Sequence, residues 1–275
     1  MLINSGMPLD TPIANGMTAF QLAVYYGHTL IVELLIDFAA SQGPRQKKKL
    51  VNQLNRQSSL SALSYAIINK KTNIAAILIQ QGAMHYFSKS SLQKDLSPIF
   101  LCVNKGLLDL LDLMYQHNPE LMEVKNSRGV TALMQAAETN EKQIVNYLSL
   151  RTSKLNIEDS QGRTLLMHMI LQENFKMATR LLVRGATVDY VNRSGKTALH
   201  LCVETKNKNA IEYLLFKGAN QHILDLNEED CCDKAKSNGL ALEMHNFLNC
   251  TLRKKVKPQL PKGIKVNYKY SEYYL

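Results

Sequence analysis

The sequence predicts an all-α fold, a solenoid of paired short antiparallel helices with hairpin fingers, followed by an extended basic C-terminal tail. Three observations predict it. A unit seen best at Lys196–Asn220, K-T-A-L-H-L-C-V-E-T-K-N-K-N-A-I-E-Y-L-L-F-K-G-A-N, recurs along almost the whole chain. Each copy carries two short apolar stripes at helical spacing, and three copies close on Gly-Ala (Gly82-Ala83, Gly185-Ala186, Gly218-Ala219). A self-similar unit of this length builds stacked modules, not one closed core.

Aligning the copies on the hydroxyl of T-A-L-H gives anchors at Thr18, Ser61, Ser97, Thr131, Thr164, Thr197 and, degenerately, Asp230. The intervals between them are 43, 36, 34, 33, 33 and 33 residues. The anchor starts the first helix of each pair, where its oxygen can cap free backbone N–H groups. Five residues later stands a small side chain (Ala23, Ala66, Cys102, Ala136, Cys202), as close packing of neighbouring helices requires. Met169 breaks that rule, so looser packing is expected there. The second helices carry stripes such as Ile144/Val145/Tyr147/Leu148 and Ile211/Tyr213/Leu214/Leu215, one apolar face each. Asn126, Asp159 and Asn192, ahead of their anchors, suit the turn at a finger tip.

In period and in residues the unit resembles the ankyrin repeat, with its G-x-T-P-L-H-x-A start, second apolar helix and Gly-Ala ending. The copies are diverged. The motif's Pro survives only as Pro98 and its His only as His200, and the inter-helix Gly of Gly27 and Gly106 is replaced by Lys70, Asn140, Glu173 and Lys206. Both ends are irregular. Leu2–Gly6 reads as the close of a second helix, so the sequence starts inside a repeat: either a half repeat caps the array, or these residues belong to a longer protein. The expected organisation is an array over 1–250, with a partial repeat 1–13, six repeats over about 14–225 and a degenerate capping repeat 226–250. A basic loop insertion at 41–58 and a basic, Tyr-rich tail at 251–275 complete it.

The net charge of +10 sits in two places. The tail holds seven Lys and Arg against the single Glu272, and 41–56 holds five with no acid, which leaves the body near neutral. Five scattered cysteines (Cys102, Cys202, Cys231, Cys232, Cys250) point to free thiols and a reducing, cytoplasmic setting. The Arg253–Lys257 cluster also suits nuclear import. No apolar run is long enough to cross a bilayer, and the N-terminus lacks the pattern of a secretory signal.

No catalytic constellation appears: there is no phosphate loop, no H-E-x-x-H and no nucleophile elbow. Cys231 and Cys232 are adjacent, without the gap that metal sites favour. No cofactor, metal or small-molecule substrate is therefore assigned, and the chain is read as no enzyme. The resemblance implies a structural role for His200 and His168 and a partner-binding concave face of finger tips and first helices. Its exposed positions lie just before the anchor and seven or eight residues after it. That selects Met17, Tyr25 and Tyr26 near the start, and Ser127, Arg128, Glu138 and Thr139 in the fourth repeat. The fifth gives Gln161, Arg163, Leu171 and Gln172; the sixth gives Arg193, Lys196, Glu204 and Thr205.

In the tail, Arg253, Lys254, Lys255, Lys257, Lys265, Tyr268, Lys269 and Tyr270 form the candidate second surface. Ile264–Tyr270 alternates apolar and polar residues like a strand, which alone in water is unstable. The function expected is a scaffold or adaptor that binds a protein on the concave face and docks a second surface, acidic in part, with its tail. Two alternatives stand beside it: a binder of RNA, DNA or an acidic filament such as a microtubule, and the regulatory ankyrin segment of a longer enzyme. A membrane partner is not expected.

Overall fold

The computed structural model describes residues 9–83, 96–152, 154–239 and 256. They contain fourteen α-helices, one small antiparallel sheet and a 3-10 turn. The chain divides into two compact units, Met1–Thr152 and Ser153–Leu275. The all-α expectation is borne out.

The first unit opens on a finger, in which β1 (Pro12–Ala14) pairs antiparallel with β2 (Met17–Thr18). Asn15 and Gly16 turn it, both at positive φ (50° and 71°). Asn-Gly is the dipeptide best able to hold two successive left-handed residues in a hairpin. Four helix pairs follow: α1 (Ala19–Tyr26) with α2 (Thr29–Ser41), α4 (Ala62–Ile68) with α5 (Thr72–Gln80), α6 (Pro98–Lys105) with α7 (Leu108–His117), and α8 (Ala132–Glu138) with α9 (Lys142–Arg151). The first helices stack in sequence, α1 on α4, α4 on α6 and α6 on α8. In the second unit α10 (Leu165–Leu171) pairs with α11 (Phe175–Val183), α12 (Ala198–Glu204) pairs with α13 (Lys208–Phe216), and α14 (Cys231–Ser237) packs on α12.

The anchors act as expected, with one exception. Thr18, Ser61, Thr131, Thr164, Thr197 and Asp230 each accept a hydrogen bond from the backbone N–H three residues on. Such a cap is worth about 1 kcal/mol. Ser97 makes no such bond; Pro98 follows it at the first helical position, where its fixed φ favours the helix start.

Between the two helices of every pair the chain reverses through one left-handed residue. Gly27 and Gly106 hold it in two pairs, and Lys70, Asn140, Glu173 and Lys206 hold it in the rest at φ of 55–57°. The next N–H returns to the carbonyl of the residue five positions after the anchor, as in His28 N to Ala23 O (2.9 Å) and Asn174 N to Met169 O (2.8 Å). These bonds satisfy helix-end carbonyls in the Schellman manner. Met169 itself is fully buried.

One expectation is corrected. The stretch 41–58, expected as a loop, contains a helix, α3 (Pro44–Asn52). Gly43 at φ 112° breaks the chain after α2, Pro44 starts the new helix, and Leu50 and Val51 are buried on its inner side. Two apolar residues at one end of a basic segment were too weak a period to announce a helix; packing on α2 supplies the missing stabilisation.

A non-glycine residue in the left-handed region costs about 1–2 kcal/mol, and asparagine tolerates it better. Lys70→Gly and Lys206→Gly are therefore expected to stabilise the chain by up to about 1 kcal/mol each, and Asn140→Gly by clearly less. Thermal denaturation should show the two lysine variants melting about 2–4 °C higher.

Candidate partner-binding surface

Five of the six described fingers are closed polar loops, each built on one buried Asx side chain; the first is the β1–β2 hairpin. Asn126 Oδ1 accepts from the N–H groups of Arg128 and Val130, Asp159 Oδ1 from those of Gln161 and Arg163, and Asn192 Oδ1 from those of Ser194 and Lys196. Asn55 and Asp225, which the sequence reading did not single out, do the same in two further fingers. Two residues before the anchor the backbone is left-handed in every described finger, at Gly16, Ser59, Gly129, Gly162, Gly195 and Glu228. At Gly195 a Cβ would also stand 2.8 Å from the backbone N of Leu226 in the next finger, so close approach adds to the φ requirement.

In two fingers, residues just before the anchor meet the residue seven positions after it, at the far end of the same first helix. Arg128 Nη2 lies 3.1 Å from Glu138 Oε2, and Lys196 Nζ lies 2.9 Å from Glu204. Both pairs were selected from the sequence as separate exposed positions, and both are internal ties. Arg193 is likewise engaged, with Nε 2.9 Å from Glu158 Oε2 in the preceding finger. Thr139 and Thr205 turn their hydroxyls onto the carbonyls of Gln135 and Leu201. Ser127, Gln161 and Gln172 are exposed, while Arg163, Leu171 and Met17 are half-buried.

In the first unit Tyr25 and Tyr26 end α1 with 38% and 64% of their surface exposed. Their rings meet edge to face at 5.2 Å, and Tyr25 meets Tyr65 at 6.0 Å. Tyr65 is fixed in turn by a 2.7 Å hydrogen bond between its hydroxyl and Ser58 Oγ. The result is a preoriented aromatic step, two rings presented to solvent and a third buried beneath them.

The histidines are built into the scaffold. His200 is buried in a capping box, its Nδ1 accepting from the Thr197 N–H at 3.2 Å, and burial holds its pKa below the ordinary value. His168 Nε2 lies 2.9 Å from the Asp159 carboxylate and so braces the finger.

A buried charge cluster escaped the sequence reading. Lys234 on α14 is only 7% exposed, and its Nζ lies 2.8 Å from Asp225 Oδ2 and 2.9 Å from Glu204 Oε1. Burial alone pulls its pKa down, but the hydrogen bonds to Asp225 and Glu204 outweigh it and raise the value. For both acids burial pushes upward but the hydrogen bonds outweigh it, from Lys196 and Lys234 at Glu204 and from Lys234 and backbone N–H groups at Asp225, so both pKa values are lowered. The only signal in the sequence was a lysine four residues after the Asp230 anchor.

The cysteines depart from expectation in part. Cys102, Cys202 and Cys231 are free and buried, and burial pushes the Cys202 thiol up to about 12. Cys232, expected as a free thiol, is disulfide-bonded. Its sulfur, the His222 ring and the Asp230 carboxylate fall within 4.8 Å of one another. A disulfide sulfur is not a thiolate ligand, and Asp230 already caps α14, so this group does not make a metal centre.

The tail residues Arg253, Lys254, Lys255, Lys257, Lys265, Tyr268, Lys269 and Tyr270 lie outside the described residues. Val256 is described: its N–H donates to His222 O and its carbonyl accepts from Leu224 N, both at 2.9 Å, in a parallel bridge with Ile223.

Removing one partner of a buried pair strands the others' charge and costs about 3–5 kcal/mol. Lys234→Met is expected to lose stability on that scale in urea unfolding. The lowered carboxylate pKa values mean that this contribution is present above the unfolded carboxylate range, about pH 4, and is lost as pH falls through the folded values. The variant should therefore lose part of the wild-type's acid sensitivity below about pH 4.

A family model described as ankyrin repeats (3 copies) matches residues 1–86 and 149–225. Among solved structures, the chain is similar to the ankyrin repeat domain of Bcl-3, described as a unique member of the IkappaB protein family. The TM-score is 0.65 at 21% identity, over 84% of this chain and 99% of that one. At that identity the likeness is one of fold. No curated protein matches the chain.

Proposed function

The chain belongs to the ankyrin-repeat family, whose repeats generally mediate protein–protein interaction, and we propose that it is a non-catalytic adaptor. One partner protein would bind the surface of fingers and first-helix ends, and the basic tail would dock a second, acidic surface. The observation that carries this reading is the preoriented pair Tyr25 and Tyr26, exposed beside a finger and backed by Tyr65. Rigid aromatic side chains lose little entropy on binding and dominate interface energies. The polar ties Arg128–Glu138 and Lys196–Glu204, each within its own unit, fix local shape without demanding a ligand.

The tail's part rests on composition and on the backbone pairing of Val256, which holds one point of the segment against Ile223. The excess of basic charge also supports binding to nucleic acid or an acidic filament as a second reading. Such binding would be steeply salt-dependent. Among the described residues no helix is long and apolar enough to cross a membrane.

Affinity capture with the full chain separates the readings. Tyr25→Ala with Tyr26→Ala is expected to weaken retention of the principal partner by tenfold or more, about 1.4 kcal/mol. Reversing Lys254, Lys255 and Lys257 should leave that partner bound at high salt. Capture that ignores the tyrosines and vanishes with the tail charges and with salt would overturn the adaptor reading in favour of polyanion binding.

A further inference from the structure

Helix α3 places three of its four cations on one side, with the half-buried Lys47 apart from them. Arg45, Lys48, Lys49 and Asn52 stand at intervals of three and four residues, so they share one face, while Leu50 and Val51 fill the opposite one against α2. With Arg56 and Leu54 that face lines an open groove of about 550 Å3, closed on one side by Asp10. Among the described residues only Lys49 of the four cations lining the groove is in ion-pair contact with an acid, Asp10 at 2.8 Å, whose charge Arg56 also feels. The framework around the groove is fixed. Gln53 O accepts from the buried Gln21 Nε2 at 2.9 Å, Gln53 Nε2 donates to Asp10 O, and Asn52 Nδ2 donates to Gly82 O.

The groove is electrostatically unsatisfied. Arg45 lies in the first turn of α3, at the positive end of the helix dipole, where a cation is disfavoured. Like charges four residues apart, such as Arg45 and Lys49, repel. An anion laid along this face would relieve both costs.

We propose that the α3 groove docks an acidic peptide segment of a partner protein. Successive turns of α3 are about 5.4 Å apart, and carboxylates on alternate residues of an extended peptide recur at about 6.7 Å. Flexible lysine and arginine side chains span that difference. No aromatic ring lines the groove to stack a base, and Leu54 gives an apolar side chain of a peptide a contact that a chain of phosphates cannot use. This site is separate from the tyrosine step. The inference rests on the adaptor reading for its partner class.

The test uses a fluorescein-labelled peptide of alternating Glu and Ser, with a Gln-for-Glu peptide as control, and reads anisotropy with the full chain at low and high salt. Binding of the acidic peptide alone is expected, weakened at least tenfold by Arg45→Glu with Lys48→Glu, and by several-fold with the milder Arg45→Gln and Lys48→Gln. Reversal of Lys254, Lys255 and Lys257 should leave it within twofold. These are exposed positions, and an unchanged far-UV circular dichroism spectrum confirms that the fold persists. Peptide binding indifferent to Arg45 and Lys48 overturns the proposal. So does a groove that takes inorganic polyphosphate or a single-stranded oligonucleotide, sensitive to those substitutions, while the peptide fails to bind. Partner capture that still depends on Tyr25 and Tyr26 after either failure leaves the adaptor reading standing.

Discussion

Everything in this structure depends on a single left-handed residue between the two helices of each pair. It turns the chain within one residue and aims the next N–H at the carbonyl five positions after the anchor. That bond satisfies a helix-end acceptor, and it fixes where the second helix lies against the first. Only then do the apolar stripes face one another and bury Ala66, Cys102, Ala136 and Met169 at the contact. Helices of seven to thirteen residues are too short to persist alone, so tertiary packing and this turn must form together. The strain of placing Lys70, Glu173 or Lys206 there is carried by that packing.

The fingers follow a second, polar logic. In five of them a buried Asx oxygen accepts from two backbone N–H groups of the loop and a backbone bond closes its base, as from Asn126 N to Val130 O, so the finger is held rigid. A rigid loop presents side chains without an ordering cost on binding. This explains why the exposed positions divide into two classes. Some, such as Arg128 and Lys196, are spent on ties to the helix behind them. Others, such as Tyr26 and Gln161, are presented to solvent.

Charge is handled differently at the two described ends of the chain. Lys234 is buried and over-compensated by Asp225, Glu204 and Glu229, which locks α14 to α12 and its finger. Arg45 and Lys48 in α3 are exposed, with only one acid, Asp10, at the groove they share. The first arrangement serves stability. The second leaves favourable interaction energy for a ligand.

The sequence by itself determined the all-α repeat fold, the helix pairs and their anchors, because period, stripe and cap are local properties that survive divergence. It also located the finger residues, since Asn126, Asp159 and Asn192 stand at fixed distances from their anchors. Tertiary structure alone decided what those residues meet. Glu204 is an exposed position by spacing, yet two lysines, Lys196 and Lys234, converge on it from opposite directions along the chain. Lys47–Lys49 read as a charged loop, because a basic segment with two apolar residues lacks a helical signal until α2 offers Leu50 and Val51 a surface. Once the helix forms, its 3.6-residue turn brings Arg45, Lys48 and Lys49 onto one face. Spacing is written along the chain, whereas burial and convergence depend on which neighbours the fold brings.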